Sequence, residues 1–323
     1  MEKEKCILFL ERETVSPDGL SLEPVEACGD VRYLDGGTAE EQLLAAREAD
    51  YLVINKTKIT REFLAGCPDL QCIFLLATGY NNVDIAAAHE FGVGVCNVPD
   101  YSTDAVAQLT FAFLLNFATN LPRYDASVKA GRWVSCGAYT YHDWPVVELR
   151  GKTIGIVGYG NIGKRVGKIA EAFGMRILAH TRTVPPEGAA PMVRFCSLRE
   201  LLEESDFVTL HCPMTEQTAR MIRRETLSWM KPTAYLINTA RGGLVDEQDL
   251  TDALNEGRIA GAGIDVLDPE PMRADCPYLL AKNLLITPHK AWAAREARER
   301  LIGEVAENMK AFASGRLRNR VDV

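Results

Sequence analysis

The tightest constraint on this chain lies at residues 152–163, which read KTIGIVGYGNIG. Thr153, Ile154, Ile156 and Val157 form an apolar, β-branched run that predicts a strand. Three glycines follow as Gly158-x-Gly160-x-x-Gly163, and a helical pattern opens at once from Asn161. Strand, tight turn and helix in that order give each glycine a task. Gly158 permits the turn, Gly160 lets the backbone approach a pyrophosphate, and Gly163 allows the helix to pack closely on the strand. The start of the helix offers unpaired N–H groups to the anion. Glycines in an ordinary turn would lack the flanking strand and helix, so the motif reads as a dinucleotide cradle.

A chain of 323 residues, 47% of them hydrophobic, can bury two cores of ordinary size. A net charge of −8 and a pI near 5.3 argue against nucleic acid or an anionic membrane as a partner and favour a small soluble substrate. The apolar run at 6–10 is too short for a signal segment, and no stretch approaches a membrane span, so a cytoplasmic location is expected. Nine cysteines, odd in number and scattered with no C-x-x-C, read as reduced thiols, and no metal site is expected.

Short apolar runs at 6–10, 31–34, 52–55, 71–76 and 93–96 alternate with helical patterns in a βαβ rhythm. Thr38 and Glu41 make a capping box that predicts a helix over 39–49, and 83–91 predicts another, ended by Gly92. The rhythm breaks at Val98-Pro99-Asp100, after which 102–121 predicts a long helix stopped by Pro122. Residues 131–150, aromatic and aperiodic, predict an arm that contacts a second subunit or lies as a solvent-covered loop. A second series then runs through strands 153–157, 176–179, 207–210, 234–237, 259–265 and 284–286, with helices over 161–173, 198–204 and 247–255. This is a doubly wound nucleotide domain. The closing helix, about 293–313, carries Ala294, Ala297, Leu301, Val305, Met309 and Phe312 on one face. The first unit lacks a covering helix, so this one is assigned to it. The expected domains are 1–99 with 291–323, and 100–290.

Candidate chemistry gathers where strands of the second series end, the edge at which open α/β sheets place ligands. Arg241 follows one strand in a glycine-rich turn, Glu270 the next in DVLDPEP, and His289 the last. Each alone has a plain alternative as a loop ion pair or surface group. Together they match what hydride transfer to a 2-keto acid requires. The ketone oxygen gains negative charge and needs a proton donor, and the substrate carboxylate needs a fixed cation. A carboxylate beside an imidazole stabilises its charged form. His289 is therefore assigned as acid/base, Glu270 as its partner, and Arg241 as the clamp on carboxylate and carbonyl. Where a dinucleotide unit usually has an acid for the ribose, this chain has Thr181 and Arg182. A hydroxyl beside a guanidinium suits a 2′-phosphate, so the cofactor expectation is NADP or NAD, leaning to NADP.

The chain resembles the D-isomer-specific 2-hydroxyacid dehydrogenases in Ala77-Thr-Gly-Tyr-Asn-Asn-Val-Asp84, Tyr101-Ser-Thr-Asp-Ala-Val-Ala-Gln108, the glycine motif, Leu210-His-Cys-Pro-Met-Thr215, Ile237-Asn-Thr-Ala-Arg-Gly242, Gly263-Ile-Asp-Val-Leu267 and Pro288-His289. The resemblance implies an α/β protein of two Rossmann-like doubly wound parallel-sheet domains, a discontinuous flavodoxin-like substrate domain and an NAD(P)-binding domain. It further implies that Ala77, Thr78 and Gly79 present backbone N–H groups to the substrate carboxylate. Asn161 and Ile162 would hold the pyrophosphate, while His211, Cys212, Pro213 and Thr218 would line the adenosine side. Thr239 and Ala240 would lie along the nicotinamide, and Asp265 would hold its carboxamide. The motifs, with Ala291-Trp292 after the histidine, look most like the glycerate dehydrogenase and hydroxypyruvate or glyoxylate reductase branch. Family dimers use the arm after the long helix, which makes a homodimer the expected assembly. Lys290 departs from the apolar residue more usual after the histidine. The alternatives are a D-3-phosphoglycerate or D-lactate dehydrogenase, or a dinucleotide-sensing co-regulator of the same fold.

Overall fold

A computed structural model describes residues 4–186 and 188–323. The described chain divides into two units, one running to Ser102 and resuming over Ala293–Val323, the other spanning Thr103–Trp292.

In the first unit, Tyr51–Ile54 and Cys72–Leu75 are buried at every position. Such continuous apolar runs belong in a parallel sheet covered on both faces. They are β3 and β4 of a sheet completed by β1 (Cys6–Leu10), β2 (Asp30–Leu34) and β5 (Gly94–Cys96). All pairings are parallel, in the order β2-β1-β3-β4-β5, the flavodoxin-like arrangement. The helix Arg295–Ala313 covers this sheet, burying Ala297, Leu301, Val305 and Met309, while Phe312 packs edge-on against Tyr51 and Phe74. It also buries Arg298, which grips Asp18 with two hydrogen bonds of 2.8 Å. The capping box opens its helix as read, with Thr38 Oγ1 accepting from Glu41 N at 3.2 Å and Glu41 Oε2 accepting from Thr38 N at 2.7 Å. That helix ends earlier, at Ala46.

The second unit holds seven parallel strands: β6 (Thr153–Val157), β7 (Arg176–His180), β8 (Val193–Phe195), β9 (Phe207–Leu210), β10 (Tyr235–Asn238), β11 (Gly261–Ile264) and β12 (Leu284–Ile286). Their order is β12-β11-β10-β9-β6-β7-β8, so the winding reverses between β6 and β9. That reversal is the crevice where doubly wound sheets bind dinucleotides.

The long helix runs over Thr103–Thr119, and Pro122 is not what stops it. Asn120 takes the left-handed conformation at φ 51° and donates to Pro145 O at 2.8 Å, ending the helix. Pro122 then sits in the first turn of the next helix, Leu121–Lys129, where its missing N–H has no partner to lose. The expected arm contains a short helix, Arg132–Ser135, and is laid down by Tyr124 Oη donating to Trp144 O at 2.6 Å and by Val147 N donating to Ala118 O at 2.9 Å. Val134 and Tyr139 on it are 90% and 92% exposed. Strand β8, three residues with none fully buried, gave too little pattern to be read from sequence. Among the described residues, no helix is long and apolar enough to cross a membrane.

Candidate active site

The glycine motif closes on itself in the way its spacing demands. Gly158 ends β6 at φ 95°, and a Cβ there would lie 2.5 Å from Cys212 N and 2.6 Å from His211 C. A Cβ on Gly163 would strike Gly158 O. Gly160 differs from both, because a Cβ there would meet nothing within 4 Å. It also begins the helix Asn161–Ala172, where as a glycine it supplies no side-chain cap. Two glycines are thus required by the fold itself, and the third faces open space at the start of the helix. The cradle fits a pyrophosphate.

The strand ends around it carry the residues assigned to the dinucleotide. His211 N donates to Val157 O at 2.7 Å, which ties the end of β9 to β6. The His211 ring lies 2.8 Å from Thr209 Oγ1 through Nε2, and its buried Nδ1 has no partner among the described residues. Burial pushes its pKa down to about 3, so the ring is neutral near pH 7. The Cys212 thiol, pushed up to about 11 by burial, packs 3.8 Å from Met221 Sδ. Thr218 Oγ1 donates to Pro213 O and accepts from Thr215 N, both at 2.8 Å, fixing the loop after β9. Thr181 and Arg182 directly follow β7; Arg182 is exposed and has no ion pair among the described residues. Ala240 N donates to Asn238 Oδ1 at 3.0 Å, and the buried Thr239 lies 3.2 Å from Thr110 Oγ1 on the long helix.

Arg241, Glu270 and His289 follow β10, β11 and β12, three adjacent strands of one sheet. His289 Nδ1 lies 2.7 Å from Glu270 Oε2, and the other carboxylate oxygen accepts from Leu267 N at 3.0 Å. The Arg241 turn is braced by buried Asn238, whose Nδ2 donates to Arg241 O at 2.9 Å. Gly242 lets this turn lie directly on Leu267 and Asp268, since a Cβ there would strike the Leu267 carbonyl. The guanidinium donates to Ala240 O at 2.7 Å and is otherwise exposed.

Asp265 sits at the centre of this edge, 1% exposed. Its carboxylate accepts from Thr287 Oγ1 at 2.6 Å, Lys290 N at 2.7 Å and Ala291 N at 2.9 Å, while its backbone O accepts from His289 N at 2.8 Å. The His289 backbone is held at φ 51°, a left-handed conformation unusual for a non-glycine residue. Asp265 thus braces the loop that presents the imidazole, a task the sequence reading did not assign to it. Asn238 and Thr287 were missed as well. Their only signal was a short polar residue at the end of a strand, Asn238 closing the buried β10 and Thr287 just past the half-buried β12, where some backbone group needs a partner. The Lys290 side chain is exposed.

In the other unit, Ala77, Thr78 and Gly79 form the bend after β4. Thr78 Oγ1 donates to Val98 O at 2.8 Å, and Asn97 Nδ2 donates to Thr78 O at 2.7 Å. The bend is therefore held through its side chain and carbonyl oxygen. No group of three or more His, Cys, Asp or Glu that could hold a metal occurs among the described residues.

Residues 111–291, more than half of the chain, match the family described as D-isomer specific 2-hydroxyacid dehydrogenase, NAD binding domain. The chain is 39% identical over 312 residues to a hydroxypyruvate reductase of Blautia hydrogenotrophica, covering 96% of this chain and 97% of that protein. It is 37% identical over 326 residues to a glycerate dehydrogenase of Methylorubrum extorquens, covering 98% and 99%. Among solved structures, the TT0316 protein of Thermus thermophilus superposes with a TM-score of 0.86 at 36% identity, covering 98% of this chain and 99% of that one. By sequence along almost its whole length and by fold in both units, the chain belongs to the D-isomer specific 2-hydroxyacid dehydrogenases, an oxidoreductase family with an NAD-binding domain.

Proposed function

We propose that this chain reduces a short 2-keto acid, hydroxypyruvate or glyoxylate, to the D-2-hydroxy acid, with His289 as general acid. The observation that carries this reading is the 2.7 Å contact between His289 Nδ1 and Glu270 Oε2. A carboxylate accepting from Nδ1–H leaves the other ring nitrogen, Nε2, as the proton donor, and it stabilises the charged ring before the proton leaves. When bound, a nicotinamide dinucleotide supplies the hydride that becomes the new C–H bond at carbon 2. The carbonyl π pair moves onto oxygen, and the His289 Nε2 proton goes to that oxygen, giving the hydroxyl. Arg241, exposed beyond its one bond to Ala240 O, orients the carboxylate and offsets the charge that develops on the carbonyl oxygen.

Gly158, Gly160, Gly163, Asn161 and Ile162 would hold the pyrophosphate, with His211, Cys212, Pro213 and Thr218 along the adenosine and Thr239 and Ala240 along the nicotinamide. Three hydrogen bonds to the Asp265 carboxylate leave one of its roughly four acceptor sites for a carboxamide N–H. Arg182, exposed and without an ion pair among the described residues, supports NADP over NAD. In the smaller unit, the bend at Ala77, Thr78 and Gly79 would take the substrate carboxylate on its N–H groups. The exposed apolar side chains of the arm, Val134, Tyr139 and Val146, support a homodimer formed through it.

The test is NADPH and NADH oxidation with hydroxypyruvate, glyoxylate, pyruvate and 3-phosphohydroxypyruvate. Turnover led by hydroxypyruvate or glyoxylate is expected. No turnover with any of the four would favour a dinucleotide-sensing protein, and a lead by pyruvate or the phosphorylated acid would move the assignment to the D-lactate or D-3-phosphoglycerate dehydrogenases.

A further inference from the structure

Glu270 stands on the connection 265–276, which holds neither strand nor helix between β11 and the short turn Pro277–Leu280. Pro269 and Pro271 flank it and have no N–H to donate, so this turn has few main-chain donors by which to be tied down. One carboxylate from outside the connection reaches both of its shoulders. Glu247 opens the helix Glu247–Asn255, and its side chain is 16% exposed. Its Oε1 accepts from Asp268 N, two residues before Glu270, and its Oε2 faces Arg273 Nη2, three residues after, each at 3.5 Å. Cys276 Sγ lies 4.0 Å from the same Oε2. Each contact is long, but the three meet on one carboxylate and span the turn that carries Glu270.

The base from which Glu247 reaches is itself fixed. Asp246 caps the helix, its Oδ1 accepting from Asp249 N at 3.1 Å, and Asp246 N donates to Ile222 O at 2.8 Å. The turn Gly242–Leu244 joins this helix start to Arg241. Asp268 lies on that turn, since a Cβ on Gly243 would come 3.0 Å from Asp268 Oδ2. The segment that presents Arg241 thus also carries the carboxylate that grips the Glu270 turn. Asp268 and Asp275 belong to the connection and move with it, so neither can anchor it; Asp275 Oδ1 accepts from Arg273 Nε at 3.2 Å.

We propose that Glu247 is a positioning residue for proton delivery: it clamps the turn on either side of Glu270 and so sets the alignment of the Glu270 carboxylate on His289 Nδ1. The inference rests on the reading of Glu270 and His289 given above. Leu267 N holds one Glu270 oxygen at 3.0 Å, but Leu267 belongs to the same connection. The 2.7 Å spacing between Glu270 and His289 therefore depends on where the connection as a whole is held. A carboxylate displaced by about 1 Å loses that bond, and the proton donor loses its orientation. Glu247 acts through Glu270, so its removal should leave the binding of the acid unchanged.

The experiment uses whichever of hydroxypyruvate, glyoxylate, pyruvate and 3-phosphohydroxypyruvate the wild type reduces fastest. It measures the single-turnover rate at saturating acid, the KM and a thermal melt in the wild type, Glu247→Leu, Arg273→Met, Glu270→Gln and the Glu247→Leu, Glu270→Gln double variant. Leucine keeps much of the bulk and removes both acceptor oxygens. Glu247→Leu is expected to lower the rate by about threefold to tenfold, the scale of coupling between neighbours in one network, with little change in KM. Arg273→Met frees one shoulder only and is expected to give a smaller fall of the same kind. In the Glu270→Gln background, Glu247→Leu is expected to lower the rate no further, because the carboxylate it positions is already gone. A Glu247→Leu rate equal to wild type, a loss carried by KM alone, or a loss that multiplies in full onto that of Glu270→Gln would each overturn the proposal. Should Glu247→Leu fail to fold, Arg273→Met decides, its side chain being 49% exposed, and a wild-type rate there would overturn it. A wild type inert toward all four acids, or a Glu270→Gln variant with the wild-type rate, would overturn the underlying reading and this inference with it.

Discussion

His289 Nδ1 and Glu270 Oε2 stand 2.7 Å apart, and both residues are fixed from the protein side. Asp265 O holds His289 N at 2.8 Å, and Leu267 N holds the second Glu270 oxygen at 3.0 Å. The pair is preorganised rather than assembled by substrate. Glu270→Gln should therefore act on the chemical step. The amide keeps the size but loses the negative charge facing Nδ1, so kcat should fall by ~10-fold or more with little change in KM. Steady-state kinetics check this; a change confined to KM would assign Glu270 to binding alone.

The three motif glycines should separate by role. Gly160→Ala adds a methyl where nothing lies within 4 Å, at a backbone φ of −78° that alanine accepts, so folding and melting temperature should stay near wild type. The same methyl occupies the face proposed for the pyrophosphate, and NADH affinity measured by fluorescence titration should fall by ~10-fold or more. Gly158→Ala meets Cys212 N at 2.5 Å with φ at 95°, and should lower the melting temperature itself. Equal melts for the two variants would contradict the assignment.

Arg182→Ala should weaken NADPH more than NADH, because only the former has a 2′-phosphate to pair. The comparison is of the two dissociation constants in one variant. Equal losses would make Arg182 an ordinary loop residue.

The bidentate bonds from Arg298 hold the Asp18 carboxyl at about 2, below its usual 3.8. A carboxyl with a depressed folded pKa contributes stability that is complete above the unfolded value and is lost as pH falls toward the folded one. Denaturant midpoints should therefore fall less steeply in Asp18→Asn than in wild type between about pH 4 and pH 2, with the two curves parallel above that window. Parallel curves throughout would show that the pair has no net effect.

Apart from β8, the strands of both sheets were legible because most are apolar runs separated by helical periods, and Arg241, Glu270 and His289 were singled out because each follows such a run. What could not be read was backbone conformation and the bonds that depend on it. Left-handed φ values at Glu11, Asn120 and His289 leave at most a weak mark in residue type, since none is glycine. The end of the long helix was misplaced for that reason: proline is a strong breaker signal, and asparagine, though it favours the left-handed region, a weaker one. Asp265 was read as a cofactor ligand on the family resemblance alone, and its three internal donors come from a segment more than twenty residues later, which no local pattern announces. Glu247 gave no signal either, its partners lying more than twenty residues away at Asp268 and Arg273.

Single-turnover reduction of hydroxypyruvate by His289→Ala, preloaded with NADPH, tests most directly whether the imidazole delivers the proton. The expected result is a rate lower by at least ~10²-fold with cofactor affinity unchanged. A variant that reduces the acid at the wild-type rate would contradict the account.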